Sequence, residues 1–180
     1  MRLTGENQRA RISEASAELA VGLAEVVNDP PDQTFDDTAT VEIEPGGRSI
    51  DLRYLGRGHT DNDIVVLVPD AGVVFAGDLL ENGAPPSFGD AFPLAWAVTG
   101  ARLLELVAGA VAPGHGEVAD RRFAAQQVAE LAVLADLCRE SIDGQTGLDE
   151  VVRRSPFPAG TTRLARDRVA REIDAGYSTL

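Results

Sequence analysis

Lysine is absent from this 180-residue sequence, and arginine alone carries its basic charge. Lysine plus arginine number 16 against 29 aspartates and glutamates, which gives a formal net charge of −13 at pH 7. A basic surface of the kind that binds nucleic-acid phosphates is therefore not expected. The sequence predicts a small-molecule partner and no nucleic acid.

Cysteine occurs once, at Cys138, and histidine twice. One cysteine excludes an internal disulfide and a cysteine-rich metal site. Cys138 lies in the apolar-patterned run LAVLADLCRE, so we expect a buried side chain and not a reactive thiol. Because histidine is so scarce, the positions of the two histidines carry information.

Long apolar runs are also lacking. No run is long enough to span a membrane, and the first residues, MRLTGENQRARISE, lack the apolar core of a signal peptide. As written, the sequence predicts a cytoplasmic protein that makes no membrane contact. Its length and its 44% hydrophobic content suit one domain over residues 1–180, with no repeat and no interdomain linker.

The apolar pattern predicts helices alternating with strands in the second half of the chain. An amphipathic helix is expected over 4–27, then a hairpin whose strands include Val41–Ile43 and Ile50–Tyr54. Continuous apolar runs at 64–68 and 73–76 are typical of strands buried on both faces. The elements expected to follow are a helix at Leu94–Val107, a strand at 109–113, a helix at Asp120–Ile142, a short helix capped by Thr146, and a helix at Thr161–Ala175. This order indicates an α/β layered domain.

Both histidines lie in glycine-flanked loops beside apolar strands, His59 in GRGHTD and His115 in APGHGE, and Asp78 ends the run VVFAGD. Taken singly, each has an ordinary interpretation: a surface or capping histidine, a turn histidine, and an N-cap or turn aspartate. Because all three residues lie in the same setting, next to a glycine at the end of an apolar strand, a shared metal centre is favoured. Imidazole and carboxylate are ligands for zinc, iron or manganese. Thr60 and Asp63 are predicted to offer hydrogen-bond acceptors to His59 and so to fix the tautomer of its imidazole, as metal-bound imidazoles usually require.

The segment GRGHTDNDIVVLVPDAGVVFAGDLL, followed by VAPGHG, resembles the C-terminal part of the metallo-β-lactamase superfamily of hydrolases over roughly residues 38–142. The resemblance implies an αββα sandwich that holds one or two metal ions, usually zinc or iron, at the edge of two β-sheets. It implies that His59 completes the first metal site, that His115 belongs to the second, and that Asp78 bridges them. The most familiar lactamases carry a cysteine near this position. The aspartate at position 78 makes this sequence more similar to the glyoxalase II-type and thioesterase-like members of the family.

The family's main signature, His-x-His-x-Asp-His, is absent, and a sequence with two histidines cannot contain it. The expectation is therefore an N-terminally truncated sandwich that lacks the first sheet and the first metal motif. Each metal position would keep one imidazole and a share of one carboxylate, fewer than the about three or four protein ligands that zinc normally takes. An uncovered sheet also favours association into a homo-oligomer.

Three accounts of this pattern stay open. The sequence is a truncated form of a longer hydrolase, a natural half-domain that pairs with another copy or chain, or a degenerate member that binds without catalysis. The first is favoured, with a small ester, thioester or lactone as substrate and a metal-bound hydroxide as nucleophile. The rival function is a non-catalytic, oligomeric binding domain of the same fold.

The loop at 81–93 is the predicted substrate side of the site, and Asn82, Phe88 and Phe92 are candidates for its wall. The alternative is that the aromatic residues attach the following helix to the core. That second interpretation is favoured for Trp96.

Overall fold

The computed structural model describes Val21, Val27 and residues 30–177. The helix predicted over 4–27 lies outside the described residues, apart from those two positions. The chain divides into two compact units, Met1–Thr34 and Phe35–Leu180, and the strands and helices below all belong to the second.

One six-stranded sheet organises the second unit, and its strands lie side by side in chain order. All neighbouring strands are antiparallel except β4 and β5, which are parallel. A parallel pair needs a crossover connection, and helix α1 supplies it. The strands are β1 Thr38–Ile43, β2 Arg48–Tyr54, β3 Ile64–Val68, β4 Val73–Glu81, β5 Ala110–His115 and β6 Ala119–Asp120.

The described helices follow β4 and β6, at α1 Pro93–Leu106, α2 Arg121–Ile142, α3 Leu148–Arg154 and α4 Ala159–Asp174. Asp120 caps α2 by accepting a hydrogen bond from the Phe123 backbone N–H at 2.9 Å. The predicted cap at Thr146 is wrong: Gly147 takes that position, and the Thr146 hydroxyl donates to Glu140 at 3.1 Å. None of the helices within the described residues combines the length and the apolar composition that a membrane crossing needs.

The hydrophobic core lies between the helices and one face of the sheet. That face contributes fully buried side chains from β3, β4 and β5, and the helices contribute Trp96, Leu103 and Leu131, among others. Trp96 and Cys138 are both 0% exposed, which confirms the predictions for these two residues. A mixed sheet with packed helices also confirms the α/β prediction.

The opposite face of the sheet is apolar and partly exposed. The strand registers align five apolar residues across it, in the row Ala39, Leu52, Val66, Phe75 and Ala112. Phe75 is 48% exposed and Ile64 46% exposed. The prediction that these strands are buried on both faces is therefore wrong within the described residues, because a continuous apolar run does not reveal whether a second layer accompanies it.

Candidate metal centre

The sheet brings the two histidines to one carboxylate. His59 lies in the loop between β2 and β3, Asp78 within β4, and His115 at the end of β5. The His59 Nδ1 atom is 3.4 Å from Asp78 Oδ2, and the His115 Nε2 atom is 3.6 Å from Asp78 Oδ1. Each carboxylate oxygen thus faces a different imidazole. Since Asp78 is a strand residue, the alternative of a helix cap or turn aspartate is wrong.

A glycine on β5 allows this approach. A Cβ at Gly114 would collide with the carboxylate and the backbone of Asp78. The parallel β4–β5 pairing shifts register around Gly77, which lies opposite Pro113. A side chain at position 114 would therefore push Asp78 away from the strand that carries His115.

Helix α1 fixes the loop that carries His59. The Phe92 backbone N–H donates to Gly58 O at 2.8 Å, and the Thr99 hydroxyl donates to Arg57 O at 2.6 Å. Gly58 is buried, and a Cβ there would collide with the Leu79 side chain. Both hydrogen bonds come from α1 and its N-cap, and they hold the two residues that precede His59.

Trp96 supports the His59 ring from the core. Its indole N–H donates to the Leu79 carbonyl at 3.1 Å, and its ring centroid lies 5.8 Å from that of His59. The hydrogen bond satisfies the one polar atom of a fully buried side chain. Trp96 therefore serves both the core and the position of an imidazole.

Thr60 and Asp63 bond to each other. The Thr60 backbone N–H and hydroxyl both donate to the Asp63 carboxylate, with shortest distances of 2.9 Å and 2.7 Å. These bonds close the loop behind His59. The carboxylate that faces the imidazole itself belongs to Asp78, so Thr60 and Asp63 act on the loop backbone and not directly on the ring.

The three predicted wall residues occupy different surroundings. Asn82 ties the end of β4 to the His115 loop: its backbone N–H donates to His115 O at 3.0 Å, and its amide donates to Glu117 O at 2.9 Å. Phe88 is 0% exposed and packs edge-on against Trp96, so it belongs to the core and not to a wall open to substrate. Phe92 is half-buried at the start of α1.

Glu81 lies next to this centre, in register with His115 across the β4–β5 pair, and sequence reasoning missed it. In a regular strand, residues three apart face opposite sides, but β4 changes register between Gly77 and Glu81. Burial raises the pKa of Glu81, and the Asp78 carboxylate adds to the rise, whereas the Ser87 backbone and both imidazoles lower it. An acidic residue ending an apolar strand, in DLLE, was the available signal.

Gln127 of α2 holds the end of β4 in place. Its amide oxygen accepts from Glu81 N at 2.9 Å, and its amide nitrogen donates to Glu81 O at 2.7 Å. Both residues are 7% exposed, so the pair satisfies two backbone groups away from water. This bond pair fixes the end of β4, the strand that carries Asp78, at the residue that pairs with His115.

The donor set fits a metal ion in spacing but not in number. Two ligands of one tetrahedral zinc ion lie about 3.3 Å apart, close to the two imidazole–carboxylate separations observed. However, each separation joins only two ligand atoms. In the part of the chain that the structure describes, no group of three or more His, Cys, Asp or Glu side chains is placed to hold one metal ion. The described residues therefore form a partial ligand set.

Comparison with known proteins gives one consistent result. The family model described as metallo-beta-lactamase superfamily matches residues 7–115, more than half of the chain. A protein named metallo-beta-lactamase type 2 from Bacteroides fragilis is 31% identical over 119 residues, which cover 63% of this chain and 47% of that protein. One of the same name from Bacillus cereus is 30% identical over 88 residues, or 46% of this chain and 34% of that protein.

The structural comparison agrees in fold. A metallo-beta-lactamase from Pontibacter korlensis superposes with a TM-score of 0.53 at 27% identity, and the match covers 66% of this chain and 55% of that one. The DIM-1 metallo-beta-lactamase superposes with a TM-score of 0.51 at 22% identity. The chain spans about half, or less, of the length of the curated relatives that it matches.

Proposed function

The chain belongs to the metallo-β-lactamase superfamily, and from this premise we propose that it forms part of a metal-dependent hydrolase in which His59, Asp78 and His115 are metal ligands. The observation that carries the proposal is the Asp78 carboxylate lying between two imidazoles, 3.4 Å from one and 3.6 Å from the other. Carboxylate and neutral imidazole form a ligand set suited to zinc, with iron and manganese as alternatives.

The remaining ligands come from outside the described residues in this proposal. Both histidines of the sequence are already assigned, so any further imidazole belongs to chain not included in these 180 residues. The apolar sheet face, with Phe75 and Ile64 half exposed, is a surface that a second β-layer would cover. A complementary segment would complete both the core and the ligand set, whereas another copy of the chain would cover the sheet face and bring only its own His59, Asp78 and His115.

The proposed substrate is a small ester, thioester or lactone. The acidic chain disfavours polyanionic substrates such as nucleic acids. The relatives are named metallo-beta-lactamases, so a β-lactam is the alternative substrate to include in the test.

The test measures metal content and hydrolysis on the same preparations. Elemental analysis of wild type, Asp78→Ala and His59→Ala is paired with assays of an aryl ester, a thioester, a lactone and a cephalosporin. Asp167→Ala, which alters an exposed carboxylate on α4, is the matched control. We expect metal bound by wild type and by the control, and loss of that metal in Asp78→Ala and His59→Ala. Hydrolysis is expected where a complementary segment completes the ligand set, and it should be lost with the metal in both site variants. Hydrolysis that survives both site substitutions would refute the proposal.

A second candidate function is a non-catalytic, oligomeric binding domain, which the exposed apolar sheet face favours. It predicts a metal-free wild type that sediments as an oligomer. Phe75→Ser would dissociate that oligomer, because the substitution removes the most exposed apolar side chain of the row. A metal-free monomer would exclude this candidate.

A further inference from the structure

A cavity of about 480 Å³ lies beside α1 and the end of α4. Its volume is in the range of small-molecule sites. His59, Asp78 and His115 are not among its lining residues. The side chains that determine its chemistry are two guanidinium groups, two aromatic rings and one carboxyl group, from Arg57, Arg102, Phe92, Tyr177 and Glu172.

Glu172 is the unusual member of this lining. The residue is 3% exposed, and neither of its carboxyl oxygens has a hydrogen-bond partner. Burial is the main cause that raises its pKa to about 7, and this net value already includes the opposing effects of the Leu94 backbone N–H, which does not meet hydrogen-bond geometry, and of Arg168 and Arg57. Buried polar groups without partners are rare in native proteins and cost stability. A leucine here would be the more stable choice for a purely structural position.

Arg57 presents free donors to the same cavity. Its guanidinium lies 4.4 Å from the Tyr177 ring centroid and 5.2 Å from that of Phe92. None of the ion pairs formed among the described residues includes Arg57. By contrast, Arg168, which also stacks on Phe92, donates to backbone carbonyls at 2.5 Å and 3.1 Å. Stacking orients the Arg57 fork and leaves its N–H groups available.

We propose that this cavity binds a small organic acid that has an apolar body and a hydroxyl or amino donor next to its carboxylate. The ligand carboxylate pairs with Arg57 and Arg102, since a guanidinium fork matches a carboxylate in geometry and charge. The adjacent donor satisfies Glu172, whose carboxyl oxygens are closed off from solvent without a ligand and are uncovered when the ligand binds. The apolar body packs on Phe92 and Tyr177.

This site stands on the cavity alone and does not depend on the proposed hydrolase activity. One Arg102 N–H donates to Leu55 O at 2.8 Å, which anchors the loop after β2 before a ligand binds. The Thr99 hydroxyl holds the Arg57 carbonyl, which fixes the backbone from which the second guanidinium projects. Both cations are thus positioned by α1.

Titration calorimetry with three probes tests the proposal. Mandelate carries the carboxylate, the hydroxyl and an apolar ring; phenylacetate lacks the hydroxyl, and 1-phenyl-1,2-ethanediol lacks the carboxylate. We expect the full chain to bind mandelate about tenfold more tightly than either relative, the size of one lost hydrogen bond to a charged group. Absence of saturable mandelate binding, or equal binding of all three probes, would overturn the proposal.

Two variants assign the contacts. Arg57→Gln should weaken binding of both carboxylates about tenfold, whereas Arg122→Gln, at an exposed position of α2, should leave it unchanged. Glu172→Leu should abolish the preference for mandelate over phenylacetate while raising the midpoint of thermal unfolding. The preference persisting in Glu172→Leu, or binding unaffected by Arg57→Gln, would also overturn the assignment.

Discussion

Replacing Glu172 by glutamine should change how the stability of the protein depends on pH. The pKa of this carboxyl is raised from 4.5 to about 7 by burial, so the folded state retains a proton that the unfolded chain has already released. The stability that Glu172 contributes is therefore fully present below its unfolded pKa and is lost as the pH rises through its folded pKa. The full shift corresponds to about 3 kcal/mol, and we expect about 2 kcal/mol because the cavity is open to solvent on one side.

Urea unfolding of wild type and Glu172→Gln, measured at several values between about pH 5 and pH 8, isolates this contribution, since the other titrating groups are common to both proteins. Glutamine has no proton to lose, so the variant should gain about 2 kcal/mol relative to wild type across this window. Glu105→Gln, at an exposed position of α1, is the control and should show no such gain. A wild type–variant difference that is constant with pH would refute the reasoning.

Three further predictions concern the site and the core. Gly114→Ala should destabilise the fold by about 2 kcal/mol in urea unfolding, because the new Cβ collides with Asp78. The control Gly160→Ala, whose Cβ meets open space on α4, should be neutral or stabilising. Gln127→Leu should cost about 2–4 kcal/mol in the same assay, because two buried backbone groups lose their partners; a cost near zero would contradict the hydrogen-bond pair. Burial raises the pKa of Cys138 to about 12, so the native thiol should react with iodoacetamide about a thousandfold more slowly than the unfolded one, and rapid native labelling would exclude this placement.

Local pattern was enough to predict the elements that carry the site. Glycine-flanked histidines beside apolar strands predicted loops at strand ends. The structure places His115 at the end of β5 and His59 within the β2–β3 loop, and both lie next to Asp78. This succeeded because strand ends and turns are encoded by neighbouring residues, through glycine, proline and β-branched side chains.

The failures have a different physical cause. Phe88 lies in a loop by sequence yet is fully buried, because its ring packs on Trp96 of the following helix and on Phe157, which is distant in the chain. Glu81 was missed because a register shift in β4, which periodicity does not reveal, brings it under the influence of Asp78.

By itself, the sequence determined the α/β class, the helix-forming and strand-forming segments, the acidic charge, and the residue types that can ligate a metal. Those properties follow from composition and from contacts between residues close in the chain. Only the tertiary structure decided that one sheet face stays uncovered by the described helices, that Gln127 fixes β4, and that Arg57 and Glu172 line one cavity. Such juxtapositions join residues far apart in sequence, and the packing of α1 and α2 on the sheet and of α4 on those two helices creates them.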